Sequence, residues 1–405
     1  MESESSERGG YRGLVFTALA LFALFGALTV ALVTGGCGSP PDYPSTLSFP
    51  SRADRLVLKL PEKPPPGPND PTEREESLAR LDAAGGKTVD PALTPHEVRL
   101  ALNRFLKDSF GTPSAPKIAG DAEVSAAAER LGLTPDKLAE GGRLFRHQCQ
   151  QCHNLAGDGR GPASLVTPFP RDFRRGEFKF VSTGMSKPRR SDILRTLAEG
   201  LKGTAMPSFS LLPEENRNLL ARYATYLSIR GQVEYQTLAA ALGGSSELGD
   251  VGSFAAAQLR AIIAEWEKAE NAPTPAGIAP EPDDGEPGTS PAHAEAVRRG
   301  YKLFTAKLDN SCITCHAEFG RKPVLRYDVW GTVAKPADFT ETSLKGGKRP
   351  EDVFARIRGG IAPVGMPAHP ELTDRQVWDL VRFVRSVPYP RELPEDVRAA
   401  VYPNP

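Results

Sequence analysis

Methionine is scarce in this chain. Among 405 residues there are four, one of them Met1, so a methionine that recurs in a fixed context stands apart from ordinary core filler. Cysteine is nearly as rare. Four of the five fall into two Cys-x-x-Cys pairs, at Cys149/Cys152 and Cys312/Cys315, which leaves no disulfide framework to staple a small core. Neither sign of charge is in excess. The 50 Lys and Arg balance the 50 Asp and Glu, which argues against nucleic acid as a partner. Aromatics make up only 7% of the residues, and a chain of this length builds two or three small domains more readily than one core. Long apolar runs are missing as well, apart from a single one near the N-terminus.

The neighbours of the cysteines decide what they do. Cys149-Gln150-Gln151-Cys152-His153 and Cys312-Ile313-Thr314-Cys315-His316 both read C-x-x-C-H, the covalent attachment signature of c-type haem. Two thiols three positions apart on a helical turn can add across the two vinyl groups of one porphyrin. The histidine that follows is then held beneath the iron as its proximal ligand. Two knuckles sharing one zinc are the structural alternative, but zinc needs no histidine directly after each pair. Nor does zinc explain what lies downstream. Met206-Pro207 follows His153 by 53 positions, and Met366-Pro367 follows His316 by 50. Around them Ser191 to Leu227 aligns without a gap against Glu351 to Val387, at an offset of 160. The alignment pairs Asp192 with Asp352, Gly200 with Gly360, Met206 with Met366 and Tyr223 with Phe383. Two covalently attached haem c groups are expected.

The one long apolar run is Leu14 to Val33, twenty uncharged residues that would span about 30 Å as a helix, enough for a bilayer core. Arg8 and Arg12 precede it and the next basic residue is Arg52, so the remainder is expected outside the cytoplasm. Residues 1–38 are read as a membrane anchor or a lipoprotein signal processed at Cys37, with a cleaved signal peptide as the third option. All three export the chain, as haem attachment requires. Residues 39–90 are read as an extended Pro-rich tether around Lys63-Pro64-Pro65-Pro66. Thr94-Pro95-His96-Glu97 predicts a capping box for a helix through Phe110, and with a helix near Asp121 to Leu131 it makes residues 91–133 a small helical accessory region. His96 is read as a solvent-facing cap residue.

The first haem domain is expected over residues 134–230. Leu138, Gly142 and Phe145 share one face of a helix leading into Cys149, and Leu219, Leu220, Tyr223, Tyr226 and Leu227 form the stripe of a terminal amphipathic helix. Gly142-x-x-Phe145 before the haem motif, Gly157-Asp158-Gly159-Arg160-Gly161-Pro162 after it, Met206-Pro207 and the aromatic last helix together resemble a class I cytochrome c domain. The resemblance implies an all-helical shell whose first and last helices cross, Gly142 and Phe145 meeting Tyr223. It implies His153 and Met206 as axial ligands of one iron, with the Pro162 carbonyl orienting the imidazole. Residues 231–291 are read as a helical insert, carrying Leu259, Ile262, Ile263 and Trp266 on one side, and an acidic linker. Residues 292–390 repeat the scheme with Gly300, Phe304, His316 and Met366. Pro336-Ala337-Asp338-Phe339 echoes Pro170-Arg171-Asp172-Phe173, and Thr373-x-x-Gln376 caps the last helix; Pro323 is the counterpart candidate for the orienting proline. Residues 391–405 are left as a tail.

Rival ligands are Met185, which has no counterpart in the second repeat, and His369, three residues after Met366. His147 is read as facing solvent or a propionate. The basic stretch Arg171 to Arg190 is read as a solvated loop, with a docking rim for an acidic partner as the sharper alternative. The fold class expected is all-α, two class I cytochrome c domains in tandem after a membrane segment and tether. The likeness is to membrane-attached di-haem cytochromes c of bacterial respiratory chains. It implies a one-electron carrier facing the periplasm, with respiratory redox proteins as partners. A di-haem peroxidase and a fixed haem-bearing subunit of an oxidase or quinol-oxidising complex are the competing classes.

Overall fold

The computed structural model describes residues 42–62, 65, 74–165, 168–183, 187–244, 248–272, 281–306 and 311–403. The apolar run Leu14 to Val33, Cys37 and Met185 lie outside them, as do parts of the tether and of the 231–291 insert. Among the described residues no helix is long and apolar enough to cross a membrane. In chain order the elements are β1 (Leu56–Lys59), α1 (Arg74–Ala83), β2 (Lys87–Val89), α2 (His96–Phe110), β3 (Gly111–Thr112), β4 (Ala115–Pro116), α3 (Ala122–Arg130), α4 (Pro135–Gln148), α5 (Gln150–His153), α6 (Arg190–Glu199), α7 (Glu214–Gly243) and α8 (Val251–Asn271). They continue with α9 (Pro291–Thr305), α10 (Cys312–Cys315), β5 (Arg326–Tyr327), β6 (Val333–Ala334), α11 (Pro350–Gly359), α12 (Asp374–Ser386) and α13 (Glu395–Val401). The chain is mostly helical but not purely so: β1–β2, β3–β4 and β5–β6 are short antiparallel pairs.

In each half the helix before the haem motif crosses the helix after the Met-Pro. A Cβ on Gly300 of α9 would stand 2.1 Å from the Asp379 carbonyl of α12, and one on Gly141 of α4 would stand 2.5 Å from the Leu219 carbonyl of α7. Backbones this close admit only glycine. The expected contact of Gly142 and Phe145 with Tyr223 is present, with the two rings 5.2 Å apart. The tightest point of the crossing is nevertheless Gly141, which stands four residues before Phe145 as Gly300 stands four before Phe304. Helix α12 opens with the expected Thr373–Gln376 capping box and buries Val377, Leu380, Val381, Phe383 and Val384. The box expected at Thr94 does not form. Helix α2 begins at His96 with Pro95 at its cap, and Thr94 instead closes a preceding 3-10 turn.

The first core is larger than residues 134–230. Helix α7 continues to Gly243, and α8 buries Leu259, Ile262, Ile263 and Trp266 in the same cluster as Leu138, Phe145 and Tyr223. Helix α2 joins it through Leu102, Leu106 and Phe110, whose carbonyl accepts the Tyr226 hydroxyl at 2.7 Å. The acidic stretch before α9 is not a free hinge where it is described. The Asp284 carboxylate takes Arg375 at 3.0 Å and also Arg382, which donates to the Pro282 carbonyl as well. The tail contains α13, whose Val397 and Val401 are buried in the second core.

Within the tether expected over residues 39–90, the described segments β1, α1 and β2 are folded, and α1 lies between the two halves. Leu78 and Leu81 of α1 cluster with Val57 of β1 and Tyr327 of β5. On the same helix Ser77 donates to the Gly331 carbonyl at 2.6 Å, while Arg74 donates to the Gly159 carbonyl at 2.7 Å. One short helix therefore ties the two halves together, with its apolar side buried against β1 and β5. A second tie uses the repeat itself. Arg195 of α6 pairs at 3.3 Å with its own Asp192 and at 3.3 Å with Asp352, the equivalent carboxylate on α11.

Candidate functional site

Both C-x-x-C-H segments form a single helical turn that starts beside the end of a longer helix or loop. Cys149 ends α4 and its carbonyl accepts the His153 N–H at 2.9 Å, while the Cys312 carbonyl accepts the His316 N–H at 2.9 Å. The histidines are then fixed in the same way. His153 Nδ1 is 3.0 Å from the Arg171 carbonyl and His316 Nδ1 is 3.0 Å from the Ala337 carbonyl. A carbonyl can only accept, so Nδ1 carries the proton and the Nε2 lone pair of each ring is left to bind a metal. Phe173 stacks on His153 with ring centres 4.5 Å apart, and Phe339 lies 4.6 Å from His316. Burial pushes the His153 imidazole down to about 4 and lowers that of His316, so both rings are neutral.

The orienting carbonyl is therefore not that of Pro162 or Pro323. It comes from the residue after Pro170 and Pro336, inside the Pro-x-Asp-Phe echo seen in both repeats. The echo marks the acceptor; proline identity alone points to the wrong residue. Its surroundings also differ from the solvated loop expected for Arg171 to Arg190. Arg174 is buried between Asp172 and Asp54, with contacts of 2.8 Å to each, and Arg52 pairs with Asp54 at 2.9 Å. Burial opposes ionisation of Asp54 and Asp172, but Arg52 and Arg174 outweigh it and hold both carboxyls well below the usual range.

The methionine loops are built alike. Helices α6 and α11 end at Gly200 and Gly360, both at positive φ (68° and 70°), and each turns the chain back so that Leu201 N–H donates to Met206 O at 3.1 Å and Ile361 N–H to Met366 O at 3.0 Å. A cavity of about 640 Å³, lined from both halves, brings together Cys312, Cys315, His316 and Met366. In the first half Cys149, Phe173, Ile193, Leu197 and Met206 share the apolar cluster on which His153 rests. His369 also lines this cavity, but its Nδ1 is 2.8 Å from Glu371. His96 and His147 are exposed.

This donor set fits haem c and does not fit the alternatives. Burial pushes the thiols of Cys149 and Cys312 up to about 12 and about 11, away from the reactive thiolate of a redox dithiol. The cysteine pairs do not converge either: among the described residues no three His, Cys, Asp or Glu side chains are grouped to hold a metal. Residues 136–223 and 295–384 both match the family model described as "Cytochrome C oxidase, cbb3-type, subunit III", together less than half of the chain.

These two regions are cytochrome c domains. Such domains imply covalently bound haem c and cytochrome c-type electron transfer. A solved structure from the Kuenenia stuttgartiensis reducing HAO-like protein complex is also similar, with 26% identity over 61% of this chain and 95% of that one, at a TM-score of 0.44. No curated protein matches the sequence.

Proposed function

We propose that the chain is a membrane-tethered di-haem c-type cytochrome of a bacterial respiratory chain. It passes single electrons between a donor complex and a terminal oxidase or reductase on the periplasmic side. The observation that carries this reading is the duplication of whole ligand environments: the same Nδ1-to-carbonyl bond on His153 and His316, and the same glycine-ended loop under Met206 and Met366. When bound, haem c would supply one-electron exchange, with His153 and Met206 holding one group and His316 and Met366 the other. The residues of the chain hold the imidazoles neutral, orient Nε2 and keep water away with Phe173 and Phe339. A peroxidase would need one iron without its methionine, and the matching loops argue against that. The oxidase-subunit reading is favoured by the match to the oxidase subunit III family and differs only in whether the donor is fixed or mobile.

Because each motif supplies its own two thiols, the denatured polypeptide is expected to retain two covalent haems, counted by pyridine haemochrome against protein. A ratio of one, or zinc in place of iron, would sink the reading. The location has its own check. The protein should fractionate with membranes, and Cys37→Ala should release it only if a lipid on Cys37 is the anchor. A freely soluble native protein starting near Ser39 would reject both forms of tethering.

A further inference from the structure

We propose that Trp330, a residue of the second haem domain, positions the axial histidine of the first. Three consecutive residues meet at the first centre. The Arg171 carbonyl accepts His153 Nδ1–H at 3.0 Å, the Asp172 carbonyl accepts the Trp330 indole N–H at 3.0 Å, and the Phe173 ring stacks on the imidazole. The segment is thus held on one side by the ligand and on the other by an indole from across the domain boundary. That indole is itself fixed. Its backbone N–H donates to Asp328 at 3.1 Å, the Arg171 guanidinium lies 3.7 Å from its ring centre, and the next residue, Gly331, accepts Ser77 of α1.

Among the described residues the second centre has no such strut at the equivalent position. Ala337 accepts His316 and Phe339 covers it, but the Asp338 carbonyl accepts the Glu341 N–H of its own domain at 3.4 Å. The arrangement is one-sided: domain closure is felt by His153 and not by His316. A histidine whose Nδ1–H is well placed on an acceptor is a more basic ligand, which favours ferric iron. Holding the Arg171 carbonyl in place therefore keeps the potential of the first centre down, and freeing it raises that potential.

The inference rests on the two-haem reading and is tested on the full-length holoprotein with Trp330→Phe, which keeps an aromatic ring near Arg171 and removes the donor. The midpoint of the first centre, assigned through Met206→Ala, is expected to rise while the second stays in place. In the ferrous protein the His153 Nδ1–H should exchange faster with D2O by NMR, and the small-angle scattering envelope should not change. Trp330→Leu, which also removes the partner of Arg171, is expected to give the larger shift. The proposal is overturned if Trp330→Phe moves neither centre or both alike, or if the first shifts only when the envelope expands. A wild-type chain with fewer than two covalent haems would overturn the electron-carrier reading itself, and is recognised before any variant is made.

Discussion

Met366→Ala should open the second iron to carbon monoxide and lower its potential, and Met206→Ala should do the same at the first. Methionine opposite histidine raises the potential of a c-type haem, and its sulfur fills the last coordination position. With both positions filled, the wild type should bind neither carbon monoxide nor peroxide at rest. The ferric protein should show the weak red absorption of iron-bound methionine sulfur, and each variant should remove about half of it. Both loops are held by backbone hydrogen bonds from Leu201 and Ile361 rather than by the methionine side chains, so truncating either side chain should leave the loop in place. The decisive contrary result would be an unchanged spectrum in Met366→Ala together with rapid peroxide turnover by the wild type. The second domain would then be a catalytic haem, and the peroxidase reading would replace the carrier.

Arg174→Ala is expected to cost about 3–5 kcal/mol of stability at neutral pH, because it leaves the Asp54 and Asp172 carboxylates buried with one cation fewer. The pH dependence follows from the direction of their shifts. Both carboxyls titrate below their unfolded values, so the stability they contribute is fully present above a pH of about 4 and is lost as pH falls through the lowered folded values. Guanidinium denaturation of wild type and variant should therefore differ most at neutral pH, and the two should converge on acidification. A difference of less than about 1 kcal/mol at pH 7 would place Arg174 with ordinary exposed pairs and remove the ion network as a support of the first centre.

Asp54 lies in the stretch read as a tether, and this shows where a sequence stops being legible. Of the proline run that prompted that reading, Pro64, Pro66 and Pro68 lie outside the described residues. The flanks are different: Leu56 is buried in the first core, and Val57, Leu78 and Leu81 are buried in a cluster completed by Tyr327 some 250 residues away. Nothing local distinguishes such leucines from those of an isolated amphipathic turn. The basic stretch after Arg171 failed for the same reason. Seven cations in twenty residues look solvated until Asp54, from far upstream, and Asp328, from far downstream, are brought beside Arg174 and Lys179.

What the sequence determined by itself depends on neighbours within a helical turn or on an internal repeat, although the box expected at Thr94 shows that even a local signal can be overridden. The two C-x-x-C-H turns, the Thr373 cap and the paired Met-Pro loops are of this kind, since local geometry and chemistry suffice to specify them, whereas Gly141 as the tightest point of the first crossing is not among them. Only the tertiary structure decided which carbonyl takes each histidine proton, that α1 holds the two halves together, and that Trp330 reaches Asp172. Those contacts join residues far apart in the chain. Such pairs form only where burial of apolar surface outweighs the entropy of closing the loops between them, and no short stretch of residues records that balance.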